Sequence, residues 1–571
     1  MKTWVDRFPE RFEYEREQFV ARGLNFELDE QTLDDLGLVV LRGSLAHQGT
    51  EIRLEVHYPD FFPYLRPEVV APDLELHRHQ NPFDRNLCLL DRSTRAWNPS
   101  DTGAWLVAER VPHLLELLEG DESELQAAEV PQGEPASVYF GGIPGAVIFL
   151  PAEVLTLAKD ARAGSGRIGC TALEPPRIRL RGAVVELVEK GRNRKTRTLA
   201  KVGSKLSDRF GAQSLSFRWA RLDSAPEGRA PEDVFKAIDS ARPGFGSPPW
   251  QAAADGQIAI SAAVFPEEVE QGQLADGWIF AVKARTPGGG KFEYIIRGER
   301  LTDSDLATRL PFRARLADHQ VALVGLGALG GEIGIELTKA GIDELRGLDF
   351  DHVEAGTIVR WFTGLSAVGH LKTQVMESRI GFDYPFTEFK PFTHQLGGSA
   401  VTSTARTETE LDVMDRFLTG VDLVIDATAE IGVQQLVAAL ADERSLPQVF
   451  VSATEGAQGG LVARIRPGSS SGCWLCLQWH LETGSIPLPA HEQGPTEQPR
   501  GCASLTFTGA GFDLLPIAAQ GTRVAAATLT EPEEDSSSQV FVCSLPDEPA
   551  HPPSWQSFPL EAHPDCPNCS G

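Results

Sequence analysis

Cationic charge is what this 571-residue sequence most lacks. Lys and Arg total 53 against 80 Asp and Glu, a formal net charge of −27. Phosphate backbones are held by basic faces, so this balance argues against direct nucleic-acid binding. Long apolar runs are also missing. No stretch of about 18 apolar residues occurs, which argues against a transmembrane helix. The opening Met1–Glu10 is charged and has no apolar signal-peptide core. Cysteine is scarce, 8 residues in all, far below the density of a disulfide scaffold. These absences predict a soluble cytoplasmic chain whose cysteines serve as ligands, nucleophiles or buried small side chains. The 42% hydrophobic and 23% charged content is otherwise globular, and the length gives room for about three or four domains.

Patterning divides the chain at 1–120, 121–310 and 311–571. In the first region, residues 9–23 read as a helix. Residues 51–57 alternate, with Ile52, Leu54 and Val56 on one face and charged residues on the other, which is a half-buried antiparallel strand. Pro59, Pro63 and Pro67 then stop regular structure. Trp105 to Leu118 reads as a helix with Ser100 or Asp101 as its cap. This region is an α+β module. Residues 121–136 read as a linker rich in Gly, Pro and acids. The remainder of 121–310 carries no motif and reads as a small mixed connecting domain. Its basic stretch, Lys190 to Lys205, is a solvated hairpin or a docking surface for an acidic partner. From Gln320 onward strand-like runs alternate with helical ones, which predicts a parallel, doubly wound α/β sheet.

Gly325, Gly327 and Gly330 form a GxGxxG loop between the strand-like run 321–324 and a helical stretch from about Gly331 to Lys339. The first glycine permits a tight turn, the second lets phosphate approach the backbone, and the third lets helix lie against strand. Phosphate then meets the free N–H groups at the helix N-terminus. Asp349 stands where a ribose-binding acid belongs. NAD and ATP both offer a ribose and phosphates. Arg360 and Lys372 tip the reading to ATP, since phosphoryl charge needs neutralising and hydride transfer has no such need.

Two CxxC pairs, Cys473–Cys476 and Cys566–Cys569, supply four thiolates, which read as a structural zinc set, with redox dithiols as the alternative. Their wide separation suggests a clasp that ties the end of the chain back to its domain. With no open coordination position, such a zinc is not catalytic. Of the remaining cysteines, Cys170 and Cys543 read as buried fillers. Cys502 follows a polar Gly/Pro/Gln stretch at 491–501 that reads as a mobile loop. Cys88 lies in a run from His79-Gln80-Asn81 to Leu87-Cys88-Leu89, after Tyr58-Pro59 and before Trp97-Asn98-Pro99.

The C-terminal region resembles the adenylation domain of the ThiF-type, ubiquitin-activating superfamily. The glycine loop, Asp349-Phe350-Asp351-His352-Val353, Arg360 and Gly369-His370-Leu371-Lys372 carry the likeness. Thr357 and Val359 replace the asparagines that usually precede the arginine. Asp426-Ala427-Thr428-Ala429-Glu430 stands for the family's Asp-x-Thr-Asp-Asn element, so the usual magnesium position is Ala429, and Asp426 or Glu430 must take the metal. The paired CxxC arrangement agrees with the superfamily, and Cys502 resembles its catalytic cysteine. Residues 58–99 resemble a ubiquitin-conjugating enzyme. This implies Cys88 as a thioester-forming nucleophile, with His79 and Asn81 in the His-Pro-Asn position and Asn81 as an oxyanion-stabilising amide.

The combination resembles the bacterial conjugating–activating fusions of type II CBASS antiphage operons. The resemblance implies ATP, Mg2+ and structural Zn2+. It implies adenylation of a protein C-terminal carboxylate, a thioester on Cys502, transfer to Cys88 and ligation to a lysine or other amine. The donor is then a cGAS-like nucleotidyltransferase or a ubiquitin-like protein. It further implies a homodimer, with Arg309, Arg313 or Arg315 offered to the partner's phosphate site. The rival readings are a sulfur-carrier adenylyltransferase and an NAD-dependent oxidoreductase or nucleotide-sensing module.

Overall fold

In the computed structural model, residues 3–90, 96–119, 133–155, 157–174, 179–190, 196–203, 209–210, 213–253, 256–397, 408–467, 471–491, 507–532, 537–546 and 551–569 are described. They form two compact units, Met1–Leu301 and Thr302–Gly571.

The first unit begins with helix α1 (Pro9–Ala21), opened by proline at its first turn, where no N–H partner is needed. Phe12, Glu15 and Phe19 recur along its buried face. Four antiparallel strands follow in sequential order: β1 (Phe26–Leu28), β2 (Val39–His47), β3 (Thr50–Tyr58) and β4 (Glu68–Val70). The β2–β3 turn places Gln48 and Gly49 at φ 47° and 81°, the two left-handed residues of a tight hairpin. On β3, Leu54, Val56 and Tyr58 are buried, as the alternation requires. The predicted 105–118 helix starts earlier, at Gly103. Its cap is neither Ser100 nor Asp101 but Thr102, whose hydroxyl accepts from the Trp105 N–H at 3.1 Å. Asp101 instead accepts from the Asn98 N–H. Residues Leu106–Arg110 widen to a π-turn before helix α2 (Val111–Glu119).

The region expected to be a small mixed domain is a nine-stranded sheet. Its strands are β5 (Val147–Pro151), β6 (Ala163–Glu174), β7 (Arg179–Lys190), β8 (Thr196–Lys201), β9 (Gln213–Arg221), β10 (Gln251–Ala253), β11 (Gly256–Glu270), β12 (Gln273–Arg285) and β13 (Lys291–Leu301). The order runs β11-β12-β13-β5-β7-β6-β9, and β9 then pairs in parallel with β11, so these strands close into a barrel. Closure removes free strand edges. Side chains such as Ile260, Val264, Trp278, Phe280 and Trp219 form one apolar core. Helix α3 (Pro231–Ala241) covers another cluster with Val234 and Ile238.

The second unit holds one eight-stranded sheet: β14 (Gln320–Val324), β15 (Glu344–Leu348), β16 (Glu388–Phe392), β17 (Leu423–Asp426), β18 (Gln448–Ala453), β19 (Gly459–Ile465), β20 (Gln539–Ser544) and β21 (Ser554–Pro559). Its order is β16-β15-β14-β17-β18-β19-β20-β21. The first five strands are parallel and the last three antiparallel. Its longer helices are α4 (Ala328–Ala340), α5 (Lys372–Asp383), α6 (Glu410–Leu418), α7 (Ile431–Glu443), α8 (Trp474–Glu482) and α9 (Gly511–Thr530). α9 crosses the sheet closely, because Gly521 has no side chain. A Cβ there would stand 3.0 Å from Val451 and 3.1 Å from Ile333. No helix among the described residues is long and apolar enough to cross a membrane.

Candidate functional site

In the second unit the chain leaves β14 for β15 and β16 on one side, and later returns to place β17 and β18 on the other. β14 is therefore the topological switch, where open α/β sheets bind ligands beyond their strand ends. The ends of β14 and β17 lie side by side, Val324 opposite Asp426. The glycine loop leaves from one and the Asp426–Glu430 segment from the other.

Each loop glycine has its own reason. Gly325 adopts φ +82°, a left-handed turn. A Cβ on Gly330 would lie 1.9 Å from the Gly325 carbonyl oxygen, so only glycine lets the helix start this close. A Cβ on Gly327 would meet nothing within 4 Å. The space over Gly327 is open, as a loop that receives phosphate requires. α4 begins at Ala328 with Gly327 as its cap, three residues earlier than expected.

Asp349 is buried, and both of its oxygens are engaged. Oδ2 accepts from the Leu326 N–H at 2.7 Å and Oδ1 from the Asp351 N–H at 2.8 Å. The acid assigned to a ribose therefore also fixes the glycine loop. Lys372, the first residue of α5, places Nζ 2.9 Å from Asp351 Oδ2 and 3.7 Å from Asp349 Oδ2. Arg360 lies in the same connection between β15 and α5. Its Nη1 donates to the Phe507 carbonyl at 3.0 Å, and its guanidinium stands 5.5 Å from that ring's centroid. Trp361, which the sequence reading passed over, donates its indole N–H to the Leu326 carbonyl at 2.9 Å and braces the loop from outside. Its only sequence signal was its place beside Arg360.

Asp426 is buried at 1% exposure. Its Oδ1 accepts from the Thr428 N–H and hydroxyl at 2.9 and 2.7 Å, while Oδ2 has no hydrogen-bond partner among the described residues. Burial pushes its pKa up to about 6 against those two bonds. An orphaned carboxylate oxygen at this depth fits a site that takes a cation. Ala429 turns at φ +58°, and Glu430 is exposed.

Of the three arginines considered for a partner's site, Arg313 is corrected. It is buried at 4% exposure, ion-paired with Asp303 at 2.9 Å and set against the Phe386 ring, so its charge is already spent at home. Arg309 and Arg315 are exposed, although Arg315 donates to the Thr530 carbonyl.

The sulfurs of Cys473, Cys476, Cys566 and Cys569 lie within 4.8 Å of one another. Cys473 Sγ is 3.8 Å from Cys476 Sγ and 3.7 Å from Cys566 Sγ. With Zn–S bonds of about 2.3 Å, a tetrahedron has edges of about 3.8 Å, so the four thiols fit zinc. The chain end is stitched beside them: the Gly472 N–H donates to the Leu560 carbonyl, and the His563 N–H donates to Cys476 Sγ at 3.2 Å. Cys170 and Cys543 are buried, and burial raises both thiols, to about 12 and about 11. Cys502 lies outside the described residues.

In the first unit, Leu87 and Leu89 are buried and Cys88 between them is exposed. Its backbone N–H donates to the His79 carbonyl at 2.7 Å, next to the antiparallel bridge between Gln80 and Leu87. Asn81 holds a turn rather than a free amide. Its Oδ1 accepts from the N–H groups of Phe83 and Asp84 at 2.9 and 3.2 Å, and its Nδ2 donates to the Asp84 carboxylate at 3.1 Å. Asn81 thus shapes the turn leading to Cys88, and its Nδ2 carries a second N–H beyond the one given to Asp84.

Residues 304–568 match the ThiF family model. The uncharacterized protein y4oA of Sinorhizobium fredii is 31% identical over 550 residues, 90% of this chain and 89% of its own length. Ubiquitin-like modifier-activating enzyme 5 of Drosophila erecta is 28% identical over 173 residues, 28% of this chain and 40% of its own. Among solved structures, MccB of E. coli with ATP matches at 14% identity and a TM-score of 0.34, over 46% of this chain and 68% of that one.

Proposed function

Because the chain belongs to the family of y4oA and its C-terminal half is a ThiF-family domain, we propose that it activates a protein C-terminal carboxylate with ATP and ligates it to an amine. The observation that carries this reading is the convergence at the β14 switch point. An open glycine loop, Lys372 and an orphaned buried carboxylate at Asp426 surround the ends of two adjacent strands. That is a cradle for a polyphosphate with its cation. A protein donor is supported by the modifier-activating relative in Drosophila erecta.

In this reading the N–H groups at the start of α4 take the phosphates, and Lys372 leaves Asp351 to neutralise charge as the carboxylate displaces pyrophosphate. Asp349 keeps the loop in shape and meets the ribose. Arg360 turns from the Phe507 carbonyl to the phosphates. Asp426 or Glu430 would hold Mg2+, which when bound would supply charge neutralisation for the leaving pyrophosphate. Cys502 receives the acyl group and expels AMP. Cys88, on a ubiquitin-conjugating-like module, takes it by transthioesterification and passes it to a lysine or another amine. Zinc in the four-cysteine cluster is structural. The chain works as a homodimer in the cytoplasm, with Arg309 or Arg315 reaching the partner's phosphates. Its likeness to type II CBASS fusions points to a cGAS-like nucleotidyltransferase as donor and to antiphage defence as setting.

The test is ATP–pyrophosphate exchange with candidate donor proteins that keep or lack a free C-terminal carboxylate. Exchange is expected only with the intact carboxylate and should fall at least tenfold in Lys372→Ala. Exchange that ignores the donor's C-terminus, or none with any candidate, would overturn the reading.

A further inference from the structure

Taking a carboxylate out of water without a partner is costly, so an unpaired, half-buried acid marks a place where a cation belongs. We propose that Glu332 is a specificity-determining residue: it receives a lysine or arginine from the carboxyl-terminal segment of the donor polypeptide, with the stem of that side chain lying on Val359, Phe512 and Leu515. This deepens, and rests on, the reading that the chain adenylates a protein carboxylate.

Two glycines build the place. A Cβ on Gly331, in the first turn of α4, would stand 2.9 Å from the Trp361 indole nitrogen. One on Gly511, at the start of α9, would stand 3.3 Å from Arg360 Cα and from the Val359 carbonyl oxygen. The first turns of α4, residues 359–361 and the first turn of α9 therefore meet closely. Between them lies a cavity of about 170 Å3, lined in part by Ala328, Glu332, Val359, Arg360, Phe512 and Leu515. Its rim is apolar and open, with Val359 and Phe512 each 67% exposed and Leu515 48%. Phe512 and Leu515 stand three residues apart on α9 and so share one face of that helix.

Glu332 is half-buried, and among the described residues its carboxylate has no hydrogen-bond or ion-pair partner. The charges around it are already engaged. Glu336, one turn on, pairs with Lys339 at 2.5 Å, and Arg360 donates to the Phe507 carbonyl. Burial pushes the Glu332 carboxyl above its ordinary value, Glu336 adds to this, and Lys339 opposes it. Such a group repels phosphate, and a plain apolar side chain would bury it further and leave it unpaired. A lysine or arginine suits both the rim and the acid. Its methylene stem covers apolar surface while its charged end reaches the carboxylate. A guanidinium gains further from the face of an aromatic ring such as Phe512.

The surroundings favour the donor as the occupant. Ala328 opens α4, whose first N–H groups take the phosphates in the proposed reaction, and Arg360 belongs to that cradle as well. The cavity therefore borders the place where the donor carboxylate has to meet the nucleotide, and the residues leading to that carboxylate pass its rim. Charge agrees: a chain of net charge −27 draws in a basic tail, and charge complementarity at a contact sets which partner is accepted.

The experiment measures binding and exchange with the full-length protein. The probes are fluorescein-labelled dodecapeptides with a free carboxyl end, built of apolar residues and serine, with one arginine at a varied position. Each has a twin with citrulline, the uncharged isostere, in its place. In fluorescence anisotropy with a non-cleavable ATP analogue, at least one arginine position should bind about tenfold tighter than its twin. Glu332→Gln should remove that preference, and Glu332→Arg should turn it toward peptides with glutamate at that position. No binding, equal binding of the twins, or a preference that survives in Glu332→Gln would overturn the proposal. A dimer in light scattering that Phe512→Asp dissociates, with no peptide bound, would overturn it in favour of a second copy of the chain on this face. ATP–pyrophosphate exchange is scored with the same peptides. Exchange without an arginine preference defeats the role of Glu332 alone, whereas a Glu332-dependent preference without exchange defeats the adenylation reading alone.

Discussion

A single buried carboxylate shows how much one residue organises here. Glu15, fully buried on α1, accepts from the Tyr58 hydroxyl at 3.0 Å, the Gly103 N–H at 2.8 Å and Arg11 at 3.0 Å. It ties the first helix to β3 and to the start of the 103–119 helix. Burial raises its pKa despite those three donors. A folded value above the unfolded one means that folding favours the protonated form. This contribution is therefore full below the ordinary carboxylate range and is lost as pH rises through the raised value. Glu15→Gln, which imitates the protonated acid, should gain stability relative to wild type between pH 5 and pH 8 in urea melts. Glu15→Ala leaves a hydroxyl and an N–H buried without an acceptor and should cost about 2–5 kcal/mol. Equal melts for all three at both pH values would contradict this account.

At the scale of elements, the glycine loop and the cysteine clasp separate folding from binding. Gly330→Ala forces a Cβ into the Gly325 carbonyl and should lower the melting temperature. Gly327→Ala meets no protein atom and should melt like wild type, yet lose ATP–pyrophosphate exchange by an order of magnitude or more, because the new methyl stands where phosphate approaches. A Gly327 variant with full exchange would show that phosphate binds elsewhere. In the clasp, two knuckles distant in sequence share one tetrahedral set, and metal binding there becomes folding free energy. About one zinc per chain is expected by metal analysis, and Cys566→Ser should reduce both zinc content and melting temperature. Complete metal removal with an unchanged melt would end the structural-zinc reading.

For the whole molecule, the order of acyl transfer is the decisive prediction. Adenylation belongs to the second unit and Cys88 to the first. With donor and ATP, Cys88→Ala should keep a thioester on Cys502 and stop conjugation, while Cys502→Ala should keep pyrophosphate exchange but lose both thioesters. Gels without reductant, paired with peptide mass spectrometry, resolve the two sites. Normal loading of Cys88 in the Cys502 variant would mean direct transfer from the adenylate.

Sequence alone determined the features that rest on local chemistry. The 2-residue period of β3 and the face of α1 follow from side-chain alternation and helical spacing. The GxGxxG loop follows from backbone freedom and close approach, and the CxxC pairs from thiolate chemistry. Each depends on residues that are neighbours in the chain, so the order of residues carries it. Tertiary structure decided what depends on distant partners. The barrel exists because β9 finds β11, and no local pattern announces a parallel pairing across intervening strands. Thr102 rather than Ser100 or Asp101 caps the helix because its hydroxyl meets the Trp105 N–H there. Asn81 became a turn residue because its amide meets Asp84, and Arg313 an internal ion pair because Asp303 lies beside it. Glu134 was invisible in a stretch read as linker. Only folding brings its carboxylate to His79, 55 residues away, since hydrogen bonding acts over a few ångströms and takes no account of distance along the chain.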